Sequence, residues 1–137
     1  MISEDILKNL NLYKNHKVDL EEKIEKLEKQ LDYIHEFRHK YRSCKENFNY
    51  SMHYRKQNLA KIQGFGSKVN IAQSHYLKMN DMLNGNQFNS VINKVEDIEI
   101  ILAKKTSNIE LEISKLKQEM QSYETQINNL HYELSNI

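Results

Sequence analysis

The 137-residue chain carries 20 Lys and Arg against 19 Asp and Glu, a formal net charge of +1, so no global field steers it toward nucleic acid or an anionic membrane. It holds no proline, no tryptophan, three glycines and one cysteine, which excludes an intramolecular disulfide and a cysteine-built metal cluster and leaves too little turn punctuation for a sheet protein. With 28% charged and 39% apolar residues and a mean hydropathy of -0.79, the chain is too polar for a compact globule and too regularly patterned for disorder.

Scarce glycine and proline favour long uninterrupted helices. The opening Met1-Ile2-Ser3-Glu4-Asp5 is acidic and has no apolar run, unlike a secretory signal peptide. No stretch approaches the roughly 18 apolar residues of a membrane span. The chain is therefore expected to be cytoplasmic, and any export would use a route that needs no cleaved signal.

A first long helix is predicted over about residues 4–60. Ile6, Leu10, Tyr13, Leu20, Ile24, Leu27, Leu31, Ile34, Tyr41, Phe48 and Met52 fall on alternating steps of three and four, interrupted by Lys17, Arg38 and Lys45. This is the narrow stripe of a coiled coil. Ser3 is a candidate cap, with Glu4 and Asp5 behind it. Ser43-Cys44-Lys45-Glu46 has capping-box spacing, but the stripe runs through it and predicts continuity. Cys44 lies one position off the stripe and reads as a packed small residue.

Gly64-Phe65-Gly66 is the strongest local breaker. A shorter helix is predicted after it over about residues 67–83, carrying Val69, Ala72, Tyr76, Met79 and Leu83, and Asn84-Gly85-Asn86 reads as a turn. A second long helix is predicted over about residues 88–137. Phe88, Ile92, Val95, Ile98 and Leu102 lead into it, and Thr106 is its weak position. From there the clearest seam of the chain continues through Ile109, Ile113, Leu116, Met120, Tyr123, Ile127, Leu130, Leu134 and Ile137. The fold expected is all-α: a single elongated antiparallel helical hairpin or coiled coil with a short middle helix.

Two motifs bear on chemistry. His35-Glu36-Phe37-Arg38-His39 matches H-E-x-x-H, which on a helix sets two imidazoles one turn apart for zinc with a glutamate to activate water. The match is incomplete: Arg42 and Lys45 stand where the longer signature has glycine and a third histidine, and Arg38 and Lys40 oppose a bound cation. Residues 35–56 interleave Arg38, Lys40, Arg42, Lys45, Arg55 and Lys56 with Phe37, Tyr41, Phe48, Tyr50 and Tyr54, the alternation that single-stranded nucleic acid can use. Tyr41 and Phe48 belong to the stripe, however, and the pI of 7.8 is well below that of a typical basic binder. No catalytic residue, cofactor, metal site or nucleic-acid partner is expected, and the chain is not read as an enzyme.

Phe65-Gly66, standing where a W-x-G-like turn would be, and the Glu/Lys/Gln-rich run from Phe88 to Leu134 give the whole chain a resemblance. It resembles the small helical proteins encoded beside LXG toxins of Gram-positive type VII secretion systems, distant relatives of the WXG family. The resemblance implies a targeting factor or chaperone that binds the helical N-terminal region of a toxin, often beside a second small helical protein. No aromatic residue is followed four positions later by an acid: Ile127 follows Tyr123, and Asn136 follows Tyr132. That absence fits the partner without the short export signal. The residues expected to meet a partner are Phe65, Gly66, Phe88, Ile92, Val95, Ile113, Leu116, Met120, Tyr123, Ile127 and Leu130. Two other readings stay open, a structural coiled coil of a phage or cytoskeletal assembly and a nucleic-acid-binding helical protein, and so does self-association of the chain when alone.

Protein purified without chelator should carry far less than one zinc per chain by metal analysis. Stoichiometric zinc lost on His35→Ala would restore the metalloprotease reading.

Overall fold

The computed structural model describes residues 2–66 and 70–137, with residues 64–66 and 72 as backbone only. Its helices are α1 (Ile2–Gly66), α2 (Asn70–Asn84) and α3 (Asn86–Ser135). Among the described residues only Gly85, Asn136 and Ile137 lie outside a helix, so the all-α class follows directly.

The boundaries differ from the expected ones in instructive ways. α1 begins at Ile2, so Ser3 lies inside the first turn, where Glu4 and Asp5 also sit and favour its unpaired N–H groups. The helix continues through Ser43-Cys44-Lys45-Glu46 without interruption. Gly64-Phe65-Gly66, expected as a break, forms the last residues of α1. Glycine costs about 1 kcal/mol in a helix interior, but a helix end leaves its last carbonyls unpaired in any case, so the two glycines are accommodated there. Val69 and the side chains of Phe65 and Ala72 lie outside the described residues. α2 turns Tyr76, Met79 and Leu83 inward, as its spacing predicts, and the expected turn at 84–86 narrows to one residue, Gly85.

The chain divides into two compact units: Met1–His35 with Lys104–Ile137, and Glu36–Ala103. In the first, α1 and α3 pair antiparallel. Ile24, Ile109 and Ile113 form a buried cluster, against which Leu27, Leu31, Ile34, Leu116 and Met120 pack. Nearer the start of α1, Tyr13 and His16 meet the Tyr123 ring, with centroids 5.8 and 5.4 Å away. Lys17 pairs with Glu124 at 3.1 Å and Glu28 with Lys117 at 3.5 Å. Partner numbers fall along α3 as they rise along α1, which is the antiparallel signature.

The second unit repeats the antiparallel pairing and adds α2. The Tyr41 hydroxyl donates to the Val95 carbonyl at 2.8 Å, Lys45 meets Glu99 at 3.0 Å, and Phe48 stacks on Phe88 with centroids 6.1 Å apart. Lys56 lies over the same Phe88 ring at 4.8 Å, a cation–π contact. Among the described residues of this unit, Leu59 and Leu83 are the buried side chains.

The joint between α2 and α3 depends on the absence of a side chain. A Cβ at Gly85 would overlap the Asp81 carbonyl oxygen, a backbone atom that cannot swing aside, while the Gly85 carbonyl accepts the Asn89 N–H at 3.2 Å in the first turn of α3. Gly85→Ala should therefore lower stability by about 1–3 kcal/mol, the usual cost of overpacking, read as a fall in thermal midpoint by circular dichroism. An unchanged midpoint would show that the joint opens freely.

Candidate interaction surfaces

The residues expected to meet a partner are largely engaged inside the chain. In the first unit Ile113 and Ile127 are buried, Leu116 and Met120 pack on the isoleucine cluster, Tyr123 is held between Tyr13 and His16, and Leu130 is half-buried. In the second unit Phe88 is covered by Phe48 and Lys56, Val95 accepts from Tyr41, and Ile92 is half-buried. Phe65 and Gly66 are described only as backbone. The physical reason is that a three-four stripe reports that a helix pairs, without saying whether the partner is in the same chain.

The polar interruptions of the stripe have definite roles. Lys45 and Glu99 both occupy seam positions, and their side chains are only 25% and 32% exposed. The ammonium and carboxylate neutralise each other where apolar side chains would otherwise meet. Lys17 turns to the seam edge and Glu124, and Arg38 is engaged within the chain. Glu99 is the residue that sequence reasoning missed. It lies four after Val95 and three before Leu102, on the α3 seam, and was legible as the counterpart of Lys45 once an antiparallel register was drawn.

The outer edges of the second unit carry what the seam does not absorb. Residues two apart on a helix point about 200° apart, so Arg42 and Cys44 lie on opposite sides of α1, and Ile98 and Ile100 on opposite sides of α3. On the Cys44 side a shallow depression of about 180 Å³ is lined by Tyr41, Cys44, Lys45, Phe48 and Val95. Cys44, expected to be packed, is exposed there. Val91 and Ile98, one heptad apart on the same side of α3, remain 48% and 41% exposed, and Phe37, one heptad before Cys44, is 53% exposed. On the Arg42 side a groove of about 320 Å³ runs between Arg38, Tyr41 and Arg42 of α1 and Glu96, Ile100 and Ala103 of α3.

Neither chemical motif assembles a centre. His35, Glu36 and His39 are exposed, and the Glu36 carboxylate is paired with Lys40 at 3.1 Å. Among the described residues no three His, Cys, Asp or Glu side chains group so as to hold a metal ion. In the basic and aromatic run, Tyr41 and Phe48 face the pairing and Lys45 and Lys56 are engaged, leaving Phe37, Tyr50 and Tyr54 outside. No helix among the described residues is long and apolar enough to cross a membrane.

Removing one member of the Lys45–Glu99 pair strands the other in the seam. Lys45→Leu and Glu99→Leu should each destabilise the fold by about 1–3 kcal/mol, the cost of an unsatisfied group, whereas the double leucine variant should recover most of that loss. Denaturant midpoints of the four proteins give the coupling. Additive losses in the double variant would show that the two charges are independently solvated.

Compared with known proteins, the chain matches no family model, and no curated protein or solved structure matches it.

Proposed function

We propose that the chain is a non-catalytic helical partner, a targeting factor or chaperone that binds the helical N-terminal region of a type VII secreted LXG toxin and aids its export. The observation that carries this reading is the apolar edge formed by Phe37, Val91 and Ile98 beside the Cys44 depression. Apolar residues spaced by heptads along an edge offer a continuous line for a third helix, and aligned apolar surface outside a protein's own core is characteristic of interaction sites. The chemistry of the edge fits an amphipathic helix, for which shape and apolar area dominate. A second small helical protein beside the toxin belongs to the same proposal.

The runner-up reading is a structural coiled-coil protein, which the apolar run of the α3 seam from Ile109 to Leu134 supports. It predicts filaments or large assemblies of the chain by electron microscopy and no capture of a toxin helix.

The test is co-expression with the N-terminal region of an LXG toxin encoded beside this chain, followed by co-purification. The parent chain should retain the toxin region. Ile98→Asp, which changes an exposed edge and leaves the buried seam intact, should keep full helicity by circular dichroism and weaken capture at least tenfold. Failure of the parent to co-purify would refute the toxin reading, and equal capture by Ile98→Asp would refute the edge.

A further inference from the structure

The joint between α2 and α3 is also the one place in the sequence where glycine follows an asparagine, Asn84-Gly85. Asparagine is a chemically labile residue, because the backbone nitrogen of the next residue can attack its side-chain carbonyl carbon. A side chain on that next residue hinders the attack, and glycine has none. The attack also requires the asparagine backbone to leave the helical conformation. Asn84 is the last residue of α2 and Gly85 lies outside both helices, and helix ends fray. The Asn84 amide is at the surface, where its Nδ2 donates to Asn80 Oδ1 at 2.9 Å in an exposed hydrogen bond that water can replace. Asn89 precedes Ser90 but lies inside α3, where the helix holds its backbone.

We propose that Asn84-Gly85 is a site of spontaneous covalent modification, whose conversion loosens the end of α2 within the second unit. The Gly85 nitrogen gives up its proton and bonds to Asn84 Cγ. The Cγ–Nδ2 bond breaks, and the amide nitrogen leaves as ammonia. Water then opens the five-membered imide at one of its two carbonyl carbons, which gives aspartate or isoaspartate. In sum, one amide and one water become one carboxylate and one ammonium ion. Either product sets a negative charge at the C-terminal end of α2, where the unpaired carbonyls are already partly negative. The last turn, Asp81-Met82-Leu83-Asn84, brings no basic residue to offset it. The Asp81 carboxylate is a neighbour on the helix surface, three residues back, and reaches to 3.3 Å from where a Gly85 Cβ would stand. The conversion also removes the Nδ2 donor to Asn80. Isoaspartate further adds a methylene to the backbone of a one-residue joint, beside the buried Leu83. The site is independent of the toxin reading, because it uses none of Phe37, Val91 and Ile98.

The test is to keep the folded full chain in warm, mildly alkaline buffer and map its peptides by mass spectrometry over time. Fragment ions should place the change from amide to carboxyl at Asn84 before Asn89, and an isoaspartyl methyltransferase should methylate part of the product. The converted chain should melt at a lower temperature than fresh protein by circular dichroism. Asn84→Gln keeps an amide that closes its ring far more slowly, so its midpoint should hold through the same incubation. Asn84→Asp, made directly, should show the part of the fall that comes from charge alone. The proposal is overturned if Asn84 of the folded chain keeps its amide while the urea-unfolded chain converts, if the converted chain melts like the fresh one, or if Asn84→Gln loses as much during incubation as the parent.

Discussion

The register of α1 against α3 is the constraint on which the second unit depends, and the Lys45–Glu99 pair is what makes that register unique. An apolar seam alone tolerates a slip of one heptad, because one leucine or isoleucine replaces another. A slip here would set a half-buried lysine and glutamate among apolar side chains without partners, at a cost of about 1–3 kcal/mol for each stranded group. Polar seam residues trade stability for register in this way in coiled coils generally. The remaining cross-helix contacts of the unit follow from the same alignment: Tyr41 on the Val95 carbonyl, Phe48 on Phe88, and Lys56 above that ring.

Two paired helices give a thin core. Among the described residues no side chain is completely enclosed. Each seam residue contacts the opposite helix on one side and approaches water on the other, so the apolar area buried per residue is modest. In the first unit the isoleucine cluster concentrates that burial around Ile24, Ile109 and Ile113, while the exposed Glu28–Lys117 bridge adds little, as surface pairs do. A pairing of this kind leaves apolar edges on both flanks, and covering them with a further helix supplies burial that the pair cannot supply alone.

Much of the fold was legible because heptad spacing is a direct imprint of helix geometry. Ile6, Leu10, Leu20 and Ile24 on one stripe and Ile109, Ile113 and Ile127 on the other are buried in the first unit, and so is Thr106, the weak position of the second stripe. What the spacing does not encode is whose helix fills the seam: Ile113 and Leu116 read as residues of helix–helix association, and they pack in the cluster around Ile24 of α1. Local breaker strength also misleads near helix ends: Gly64 and Gly66 close α1, whereas Gly85 alone makes the joint between α2 and α3 because the Asp81 carbonyl leaves no room for a Cβ. Lys45 and Glu99 looked like separate defects because each was seen on its own helix. Ile98 was legible as part of the apolar face leading into α3, whereas Val91, one heptad before it, belongs to no stripe read from the sequence.

The edges and the register are linked. In a paired helix the seam position fixes the directions of its neighbours, so holding Lys45 opposite Glu99 also fixes Arg42 and Glu96 on one flank and Cys44 and Ile98 on the other. The two flanks then differ in chemistry. The flank with Arg42, Glu96 and the exposed Ile100 sets charge beside apolar surface. The flank with Phe37, Val91 and Ile98 exposes apolar surface beside the Cys44 depression. A single ion pair in the seam thereby sets which side chains each flank of the same two helices presents, and a slip in that pair would rearrange both flanks at once.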